Sequence, residues 1–240
     1  MQASIVLPAY DEVMNLERVV DEARAALAAF ASDGEVLIVD DGSGDGTGAL
    51  ADDLAARFDN VRTIHHAANR GFSGAMATCF REALGDWIFL APADGQMELS
   101  ELGRFLAASR RADIVIGVRA HRGDGFLRTA FSRSFHLIAR TLFDLPMREF
   151  SSLFLFRRSA LDAMPFRSRP RSATLLPEIL FRARRRGRPI AELVVQQHPR
   201  RGGRAKGGQL SVAFLTLLEL VRLAWSVRLE ERRAPRVVAP

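Results

Sequence analysis

The fold is set by a short apolar run and the acidic turn after it, Glu35-Val36-Leu37-Ile38-Val39-Asp40-Asp41-Gly42-Ser43. A β-branched strand that ends in polar residues is typical of an open α/β sheet, whose carboxyl edge binds ligands. The pattern recurs where residues 3–7 lead into Pro8-Ala9-Tyr10-Asp11-Glu12, and where residues 86–90 lead into Ala91-Pro92-Ala93-Asp94-Gly95-Gln96. Acids gathered at one edge repel each other unless a cation joins them, so we predict a divalent cation carrying a diphosphate.

Strands and helices alternate along the first half of the chain. Hydrophobic spacing predicts strands at 3–7, 35–39, 61–65, 86–90 and 113–118, and helices at 13–30, 46–58, 71–84 and 98–109, the second of these capped by Asp45. Such alternation implies an α/β fold with a doubly wound, mainly parallel sheet and right-handed crossovers.

The second half is less regular. It predicts helices at 126–143, 172–186 and 209–229, and strands at 150–157 and 189–197, with a basic, glycine-rich segment at 198–208. We therefore expect one α/β domain over residues 1–208, an amphipathic helix over 209–229 and a flexible tail over 230–240.

Composition indicates a basic protein of a reducing compartment. The 240 residues carry a formal net charge of +6, and Lys206 is the one lysine, so arginine supplies nearly all the positive charge. Arginine suits bidentate phosphate binding, although an arginine-rich composition also follows from the base composition of a genome. One cysteine, Cys79, argues against disulfides and cysteine-ligated metals. With neither a signal peptide nor an apolar run of about 20 residues, we expect a cytoplasmic protein.

Three motifs in order carry a resemblance to a known family. They are Ser4-Ile5-Val6-Leu7-Pro8-Ala9-Tyr10-Asp11-Glu12, Val39-Asp40-Asp41-Gly42-Ser43-Gly44-Asp45-Gly46-Thr47 and Asn69-Arg70-Gly71-Phe72-Ser73-Gly74-Ala75. Over residues 4–208 the chain resembles a family 2 glycosyltransferase with the GT-A fold, closest in layout to polyprenyl-phosphate sugar transferases of the dolichyl-phosphate mannose synthase type. Asp11 stands where that family usually has asparagine.

The resemblance implies a site for a nucleotide diphosphate sugar. Pro8 and Tyr10 can wall a nucleobase, while Glu12 and Asp40 or Asp41 can accept hydrogen bonds from base or ribose. The resemblance adds to the nucleotide site Asn69, Gly71 and Ala93. Glycines around this third motif let the backbone approach the nucleotide before a helix begins. Considered without the other two motifs, the turn Asp40-Asp41-Gly42-Ser43 is as consistent with a helix-capping turn as with a binding site.

The metal motif of the family is incomplete here. The resemblance implies an Asp-x-Asp motif that holds Mg²⁺ or Mn²⁺ against the diphosphate, and the chain keeps its second acid as Asp94 but has Pro92 in place of the first. One carboxylate with phosphate oxygens and water can still hold Mg²⁺, with Gln96 or Glu98 assisting. We expect weakened metal binding; loss of the metal is the alternative.

The metal polarises the leaving diphosphate, so attack from the opposite face would invert the anomeric carbon. A phosphate acceptor needs little deprotonation, whereas a hydroxyl acceptor needs a carboxylate in reach. Glu149 lies where the family often has an acceptor-side aspartate. A surface salt bridge with Arg148 or Arg157 is the alternative for Glu149.

Arginines mark the acceptor side. The resemblance assigns phosphate contacts to Arg119, Arg122, Arg128 and Ser132, with Arg133 nearby. It also assigns Arg200 and Lys206, in the late basic loop, to closure over the diphosphate. A solvated basic helix face is the alternative for the first group, and a disordered basic linker for the second.

The last helix is too charged to span a bilayer and too apolar to lie free in water. It is expected either at the membrane interface, beside a lipid-linked acceptor, or packed on the domain or on a partner subunit. If it lies at the interface, the protein works at the inner face of the cell membrane.

The leading hypothesis is an inverting transferase from a nucleotide diphosphate sugar to a polyprenyl phosphate or other lipid-linked acceptor. The alternatives are a non-catalytic nucleotide-sugar-binding or scaffold domain, which Pro92 suggests, and a nucleotidyltransferase. The latter needs a glycine- and lysine-rich turn after the first strand, and Pro8-Ala9-Tyr10 does not supply one. No aromatic-interleaved basic face or helix-turn-helix pattern indicates nucleic-acid binding.

Overall fold

A computed structural model describes residues 2–31, 33–120, 126–147, 152–162, 164–199 and 210–233. For residues 126–133, 210–215, 217 and 231–233 it describes the backbone alone. Glu149, Arg122, Arg200 and Lys206 of the predicted site therefore lie outside the described residues, as does the tail from residue 234 on.

Seven strands of the described ranges form one sheet in the order β3-β2-β1-β4-β6-β5-β7. They are β1 (Gln2–Ala9), β2 (Asp33–Asp40), β3 (Val61–His65), β4 (Trp87–Leu90), β5 (Ile114–Arg119), β6 (Phe154–Arg157) and β7 (Ile190–Val195). Every pairing is parallel except those of β6, which runs antiparallel to β4 and β5. The predicted α/β fold with a mainly parallel sheet is confirmed. Because β6 is reversed, its first residues lie at the edge where the parallel strands end.

The helices cover both faces of the sheet. They are α1 (Val13–Phe30), α2 (Thr47–Arg57), α3 (Phe72–Glu82), α4 (Leu102–Ala108, preceded by a 3₁₀ turn at Leu99–Glu101), α5 (Phe126–Phe143), α6 (Arg158–Asp162), α7 (Leu175–Arg185) and α8 (Leu210–Arg233). One core cluster joins α1, α2 and α4 to one sheet face, and another joins α3, α5, α7 and α8 to the other. The sheet is thus doubly wound, as predicted.

The apolar spacing of α1 shows why these helices form. Leu16, Val19, Val20, Ala23 and Leu27 recur every three or four residues, and all five are buried against the sheet. The prediction of residues 13–30 matches α1 residue for residue.

The C-terminal helix packs on the domain through one face. Leu220, Leu223, Ala224 and Val227 are buried in the same cluster as α3, α5 and α7. The sequence left packing and the membrane interface open; the structure shows packing for this face. The helix also continues to Arg233, four residues beyond its predicted end at Leu229, so the first four residues of the predicted flexible tail are helical. Among the described helices, none is both long enough and apolar enough to cross a membrane.

Candidate active site

Three polar turns meet at one edge of the sheet. Strands β2, β1 and β4 are adjacent and parallel, so the turns that follow them begin side by side. Backbone pairing continues past the strand ends: Asp41 N donates to Ala9 O at 2.8 Å, and Ala91 N donates to Val6 O at 3.1 Å. The structure therefore gathers the three predicted turns at the carboxyl edge, where α/β sheets bind ligands.

The turns after β1 and β2 are bound to each other. Asp11 N donates to Ser43 Oγ at 2.8 Å, and Gly44 N donates to Asp11 Oδ1 at 2.8 Å. Glu12 N donates to Thr47 Oγ1 at 2.7 Å. Asp11 has a φ of 47°, in the left-handed region that aspartate and asparagine tolerate best after glycine. This explains why aspartate can replace the family's usual asparagine.

Asp40 anchors its own turn and a histidine. Its Oδ1 accepts a hydrogen bond from Ser43 N at 3.1 Å, and its Oδ2 lies 3.1 Å from His65 Nδ1. The other ring nitrogen of His65 lies 2.8 Å from Asp52 Oδ1. The Asp52 contact is the main reason that the pKa of His65 is raised; partial burial opposes it and Asp40 adds to it.

Asp41 is buried and hydrogen-bonded to the turn before α3. It is 3% exposed, and its carboxylate accepts from Arg70 N at 2.9 Å and Gly71 N at 2.8 Å. Its Oδ1 also lies 2.6 Å from Nδ1 of His66, whose Nε2 lies 2.9 Å from Thr78 Oγ1. With its acceptor capacity used in this way, Asp41 holds the turn before α3. Asp40 is buried to a similar extent, at 5% exposed, and both of its oxygens are engaged by Ser43 and His65, so the contact of Asp40 or Asp41 with base or ribose stays a prediction.

Gly71 is required by close packing. Its φ is 84°, and a Cβ there would lie 2.7 Å from Arg171 Cα and 3.0 Å from Pro170 O. Asn69, in the same turn, accepts a hydrogen bond at its carbonyl from Arg171 Nη2 at 3.3 Å. The turn at the start of the third motif is thus hydrogen-bonded to Asp41 on one side and packed against residues 170–171 on the other.

The first turn carries Pro8 and Tyr10, the two residues predicted to wall a nucleobase. Tyr10 is 37% exposed, and Pro8 is half-buried. Glu12 is half-buried, and its Oε2 accepts a hydrogen bond from Asn15 Nδ2 at 2.9 Å.

The loop after β4 carries the candidate metal ligand. Asp94 is half-buried, its Oδ1 accepts from Gln96 N at 3.1 Å, and the neighbouring Ala93 is buried. The Gly95 carbonyl accepts a hydrogen bond from Arg18 Nη2 at 3.2 Å, which ties the loop to α1. The described residues contain no group of three or more acidic, histidine or cysteine side chains able to hold a metal. One carboxylate fits a cation that keeps most of its water and takes phosphate oxygens as ligands.

Pro92 forms part of an apolar pocket beside Asp94. The pocket is lined by Pro8, Phe72, Leu90, Pro92, Phe135, Ser152, Ala173 and Leu176. Pro92, at the position where the resemblance implies an acid, is therefore part of an apolar wall.

The segment after β7 is hydrogen-bonded to the Asp94 loop. His198 N donates to Gln96 O at 2.8 Å, and His198 Nε2 lies 2.6 Å from Glu98 Oε1. Arg119, at the end of β5, donates through Nη1 to Gln197 Oε1 at 3.2 Å. Of the predicted acceptor-side residues, Arg119 is thus placed at the same edge, next to the segment that leads into the basic loop. Helix α5 contains Arg128 and Ser132, but their side chains are not among those described.

Sequence reasoning missed several residues that shape the site. His66, Arg18 and His198 are not assigned to the site from the sequence, yet His66 contacts Asp41 and the other two contact the Asp94 loop. The position of His66 directly after a predicted strand, level with the acidic turn of the neighbouring strand, was the available signal.

Solved structures with the same fold include a synthase and a mannosyltransferase that were crystallised with nucleotide ligands. Glucosyl-3-phosphoglycerate synthase from Mycobacterium tuberculosis, in complex with UDP, matches with a TM-score of 0.70 and 16% identity over 93% of this chain and 80% of its own. A mannosyltransferase from Pyrobaculum calidifontis, in complex with GDP-Man and Mn²⁺, matches with a TM-score of 0.62 and 15% identity over 97% and 75%. The fold is therefore GT-A, a fold of nucleotide-sugar transferases.

The family follows from the sequence. The model of glycosyl transferase family 2 matches residues 4–164, and the chain belongs to that family. It is a glycosyltransferase.

Curated relatives act on undecaprenyl phosphate by name. Undecaprenyl-phosphate mannosyltransferase of Micrococcus luteus is 28% identical over 98% of both chains. Undecaprenyl-phosphate 4-deoxy-4-formamido-L-arabinose transferase of Pseudomonas fluorescens is 31% identical over 85% of this chain and 59% of its own length. The match thus covers nearly the whole length of the first relative and little more than half the length of the second.

Proposed function

We propose that this glycosyltransferase moves a sugar from a nucleoside diphosphate sugar to the phosphate of a polyprenyl phosphate, with inversion at the anomeric carbon. The observation that carries the proposal is the meeting of three polar turns at one sheet edge, two of them hydrogen-bonded together. A relative of comparable extent that is named for an undecaprenyl-phosphate acceptor supports the choice of acceptor.

The donor nucleotide would lie over the turns after β1 and β2. Tyr10 offers a ring for the base, Glu12 and Asp40 offer carboxylate oxygens, and the turn from Asn69 to Gly71 brings backbone close to the ligand. Asp41 serves this site by holding that turn through two backbone N–H groups.

The diphosphate would lie beside Ala93 and Asp94. We propose that Asp94 holds a Mg²⁺ or Mn²⁺ ion together with water and diphosphate oxygens, a weaker site than one with two carboxylates. When bound, such an ion supplies Lewis-acid polarisation of the leaving diphosphate. Arg200 and Lys206 are proposed to neutralise the same group.

The acceptor would approach from the side of β5 and α5. Arg119 lies at that side, and we propose that Arg122, Arg128 and Ser132 bind the acceptor phosphate with it. A phosphate monoester is already ionised near neutral pH, so its oxygen can attack without a general base. Glu149 is then proposed to orient the acceptor or sugar.

A stripe on α8 supports contact with a membrane surface. Leu218, Val221, Trp225 and Leu229 are exposed, Trp225 at 72%, and their spacing places them along one helix face. The exposed arginines Arg222 and Arg228 flank this stripe. Apolar residues beside cations suit the interface of an anionic bilayer, so we propose that α8 brings the protein to the inner face of the cell membrane.

The test is transfer by the full chain, incubated with separate UDP- and GDP-linked sugars, polyprenyl phosphate in mixed micelles, and Mg²⁺ or Mn²⁺. We expect one donor to give a sugar-labelled lipid that partitions into organic solvent, with no product once a chelator is added. Binding of a nucleotide sugar without transfer to any phosphate acceptor would favour the non-catalytic alternative that Pro92 suggests.

A further inference from the structure

A segment from the second half of the chain braces the donor turn. Residues 167–174, here called the bridging segment, join α6 to α7 and lie against the start of α3. Pro170 O accepts from Gly74 N at 3.0 Å, and Ser172 O accepts from Ser73 Oγ at 2.6 Å. Ser73 is 2% exposed, so water does not compete for this hydrogen bond.

The bridging segment also limits the shape of the turn. Arg171 donates to the carbonyl of Asn69 at 3.3 Å, and its Cα occupies the space that a side chain at position 71 would need. Asp41 holds the backbone N–H groups of the turn from one side, and the bridging segment holds its other side.

A buried carboxylate holds the bridging segment. Glu178 of α7 is 0% exposed, and its Oε2 accepts from Ser168 N at 2.8 Å and from Ser168 Oγ at 2.7 Å. Its Oε1 accepts from Arg167 N at 2.8 Å and from Arg182 Nε at 3.0 Å. A buried carboxylate with this many donors fixes the backbone around it, because each donor would otherwise be left unsatisfied.

Two glutamates of α8 complete the network. Glu230 accepts from Arg182, which is 1% exposed, at 3.0 Å, and lies 3.6 Å from Arg167. Glu219, 6% exposed, lies 3.4 Å from Arg169 Nε. Arg167 and Arg169 are mostly exposed and bind weakly, so the buried Arg182 contact provides most of the coupling.

We infer that Glu178 is a positioning residue for the donor turn, and that Glu219 and Glu230 make the buried face of α8 part of the same support. This rests on the proposed function, in which the nucleotide diphosphate binds at the turn from Asn69 to Gly71. Without the network, the backbone of the bridging segment is no longer fixed, and the turn from Asn69 to Gly71 is less ordered before the ligand binds. Ordering that turn then costs conformational entropy, which weakens nucleotide binding.

The experiment measures binding of UDP and GDP, with Mg²⁺, to the full chain by titration calorimetry. Glu178→Gln keeps the shape of the side chain but presents an amide to backbone donors, and we expect about twentyfold weaker binding. The double variant Glu219→Gln with Glu230→Gln acts from α8 alone, and we expect about fivefold weaker binding. Combining Glu219→Gln with Glu230→Asp keeps the negative charge at position 230. This variant should bind nucleotide more tightly than the double glutamine variant.

The matched control is Glu17→Gln with Asp53→Asn, which removes two exposed contacts to Arg57 on the other face of the sheet. It should bind nucleotide as the unmodified chain does. Transfer kinetics separate positioning from general destabilisation: Glu230→Gln, which leaves the Glu219–Arg222 pair beside the membrane stripe intact, should raise the KM for the donor and leave the KM for polyprenyl phosphate unchanged.

The binding results separate a failure of this inference from a failure of the proposed function. If the unmodified chain binds neither nucleotide, the proposed donor site is wrong and the inference is overturned with it. If it binds nucleotide and the α8 double variant binds equally well, the inference alone is overturned. Should Glu178→Gln fail to fold, the α8 double variant decides.

Discussion

The donor-side turns and helix α8 are held in place by different kinds of contact. In the turns, a side chain of one short motif hydrogen-bonds to the backbone of another, as Asp11 does with Gly44 and Asp41 with Gly71. Helix α8 is held by apolar packing from Leu220 to Val227 and by glutamate contacts to α7 and the bridging segment. Short motifs therefore reveal the turns, whereas the role of α8 depends on residues far apart in the sequence.

Because the donor turns carry the chemistry, the largest effect is expected there. Replacing Asp94 with Ala removes the one carboxylate offered to a cation at the diphosphate, and we expect transfer to fall about 100-fold or more. Initial rates of lipid glycosylation at saturating donor measure this loss. Asp53→Ala, at an exposed position of α2, is the control and should retain full activity. Equal rates for Asp94→Ala and the unmodified chain would show that the Asp94 loop is not part of the site.

Asp41→Asn tests the internal support of the turns. An amide cannot accept from Arg70, Gly71 and His66 together, so we expect a loss of about 1–3 kcal/mol in the free energy of unfolding and weaker nucleotide binding. Denaturant unfolding and titration calorimetry measure the two effects. Asp52→Asn, which changes an exposed carboxylate, should be close to neutral. Tighter or unchanged nucleotide binding by Asp41→Asn would contradict the assignment of Asp41 to the turn.

Trp225→Ser tests the exposed face of α8 by itself. Loss of a large apolar side chain from the proposed membrane stripe should weaken binding to anionic vesicles about tenfold. Vesicle sedimentation measures the change, with nucleotide binding as the internal control that should not move. If the variant sediments with vesicles as well as the unmodified chain does, the stripe has another partner.

The smallest effect concerns His65. Its raised pKa means that the native state favours the protonated ring, so this stabilisation is complete below the ordinary value of about 6.5 and is lost as the pH rises through the raised pKa. Because the ring is 40% exposed, screening limits the effect to less than about 1 kcal/mol. The difference in Tm between the unmodified chain and His65→Gln should therefore shrink from about pH 5.5 to pH 8. A difference that grows with pH would contradict the sign.

The sequence predicted the elements well where hydrophobic period alone decides them. Helices α1 and α5 have the predicted bounds, because their apolar spacing is regular from end to end. Strand β3 also has the predicted bounds, although its apolar residues do not alternate. Strand β2 extends to Asp33 and Asp40 beyond its predicted limits, since backbone pairing continues through polar residues. The antiparallel direction of β6 has no signature in residue type, so it could not be predicted.

The site was predictable in its position but not in all its roles. The motifs place Asp40 and Asp41 together, yet they do not show that both carboxylates are buried, Asp40 against His65 and Asp41 against the turn before α3. Glu178 lies in a predicted helix among Leu175, Ile179 and Leu180, and an isolated acid in an apolar run signals a buried partner. That its partners would be the bridging segment and α8 depends on packing that the residue pattern does not contain.

The central claim is that the turns after β1, β2 and β4 surround one cation-bound diphosphate. Paramagnetic broadening of amide NMR signals by Mn²⁺, recorded on the full chain with and without UDP or GDP, tests this directly. We expect the signals of Tyr10, Asp40 and Asp94 to weaken together, and only when Mn²⁺ and the nucleotide are both present. Broadening near Asp94 that leaves Tyr10 and Asp40 unaffected, or no broadening in any of the three turns, would contradict the account.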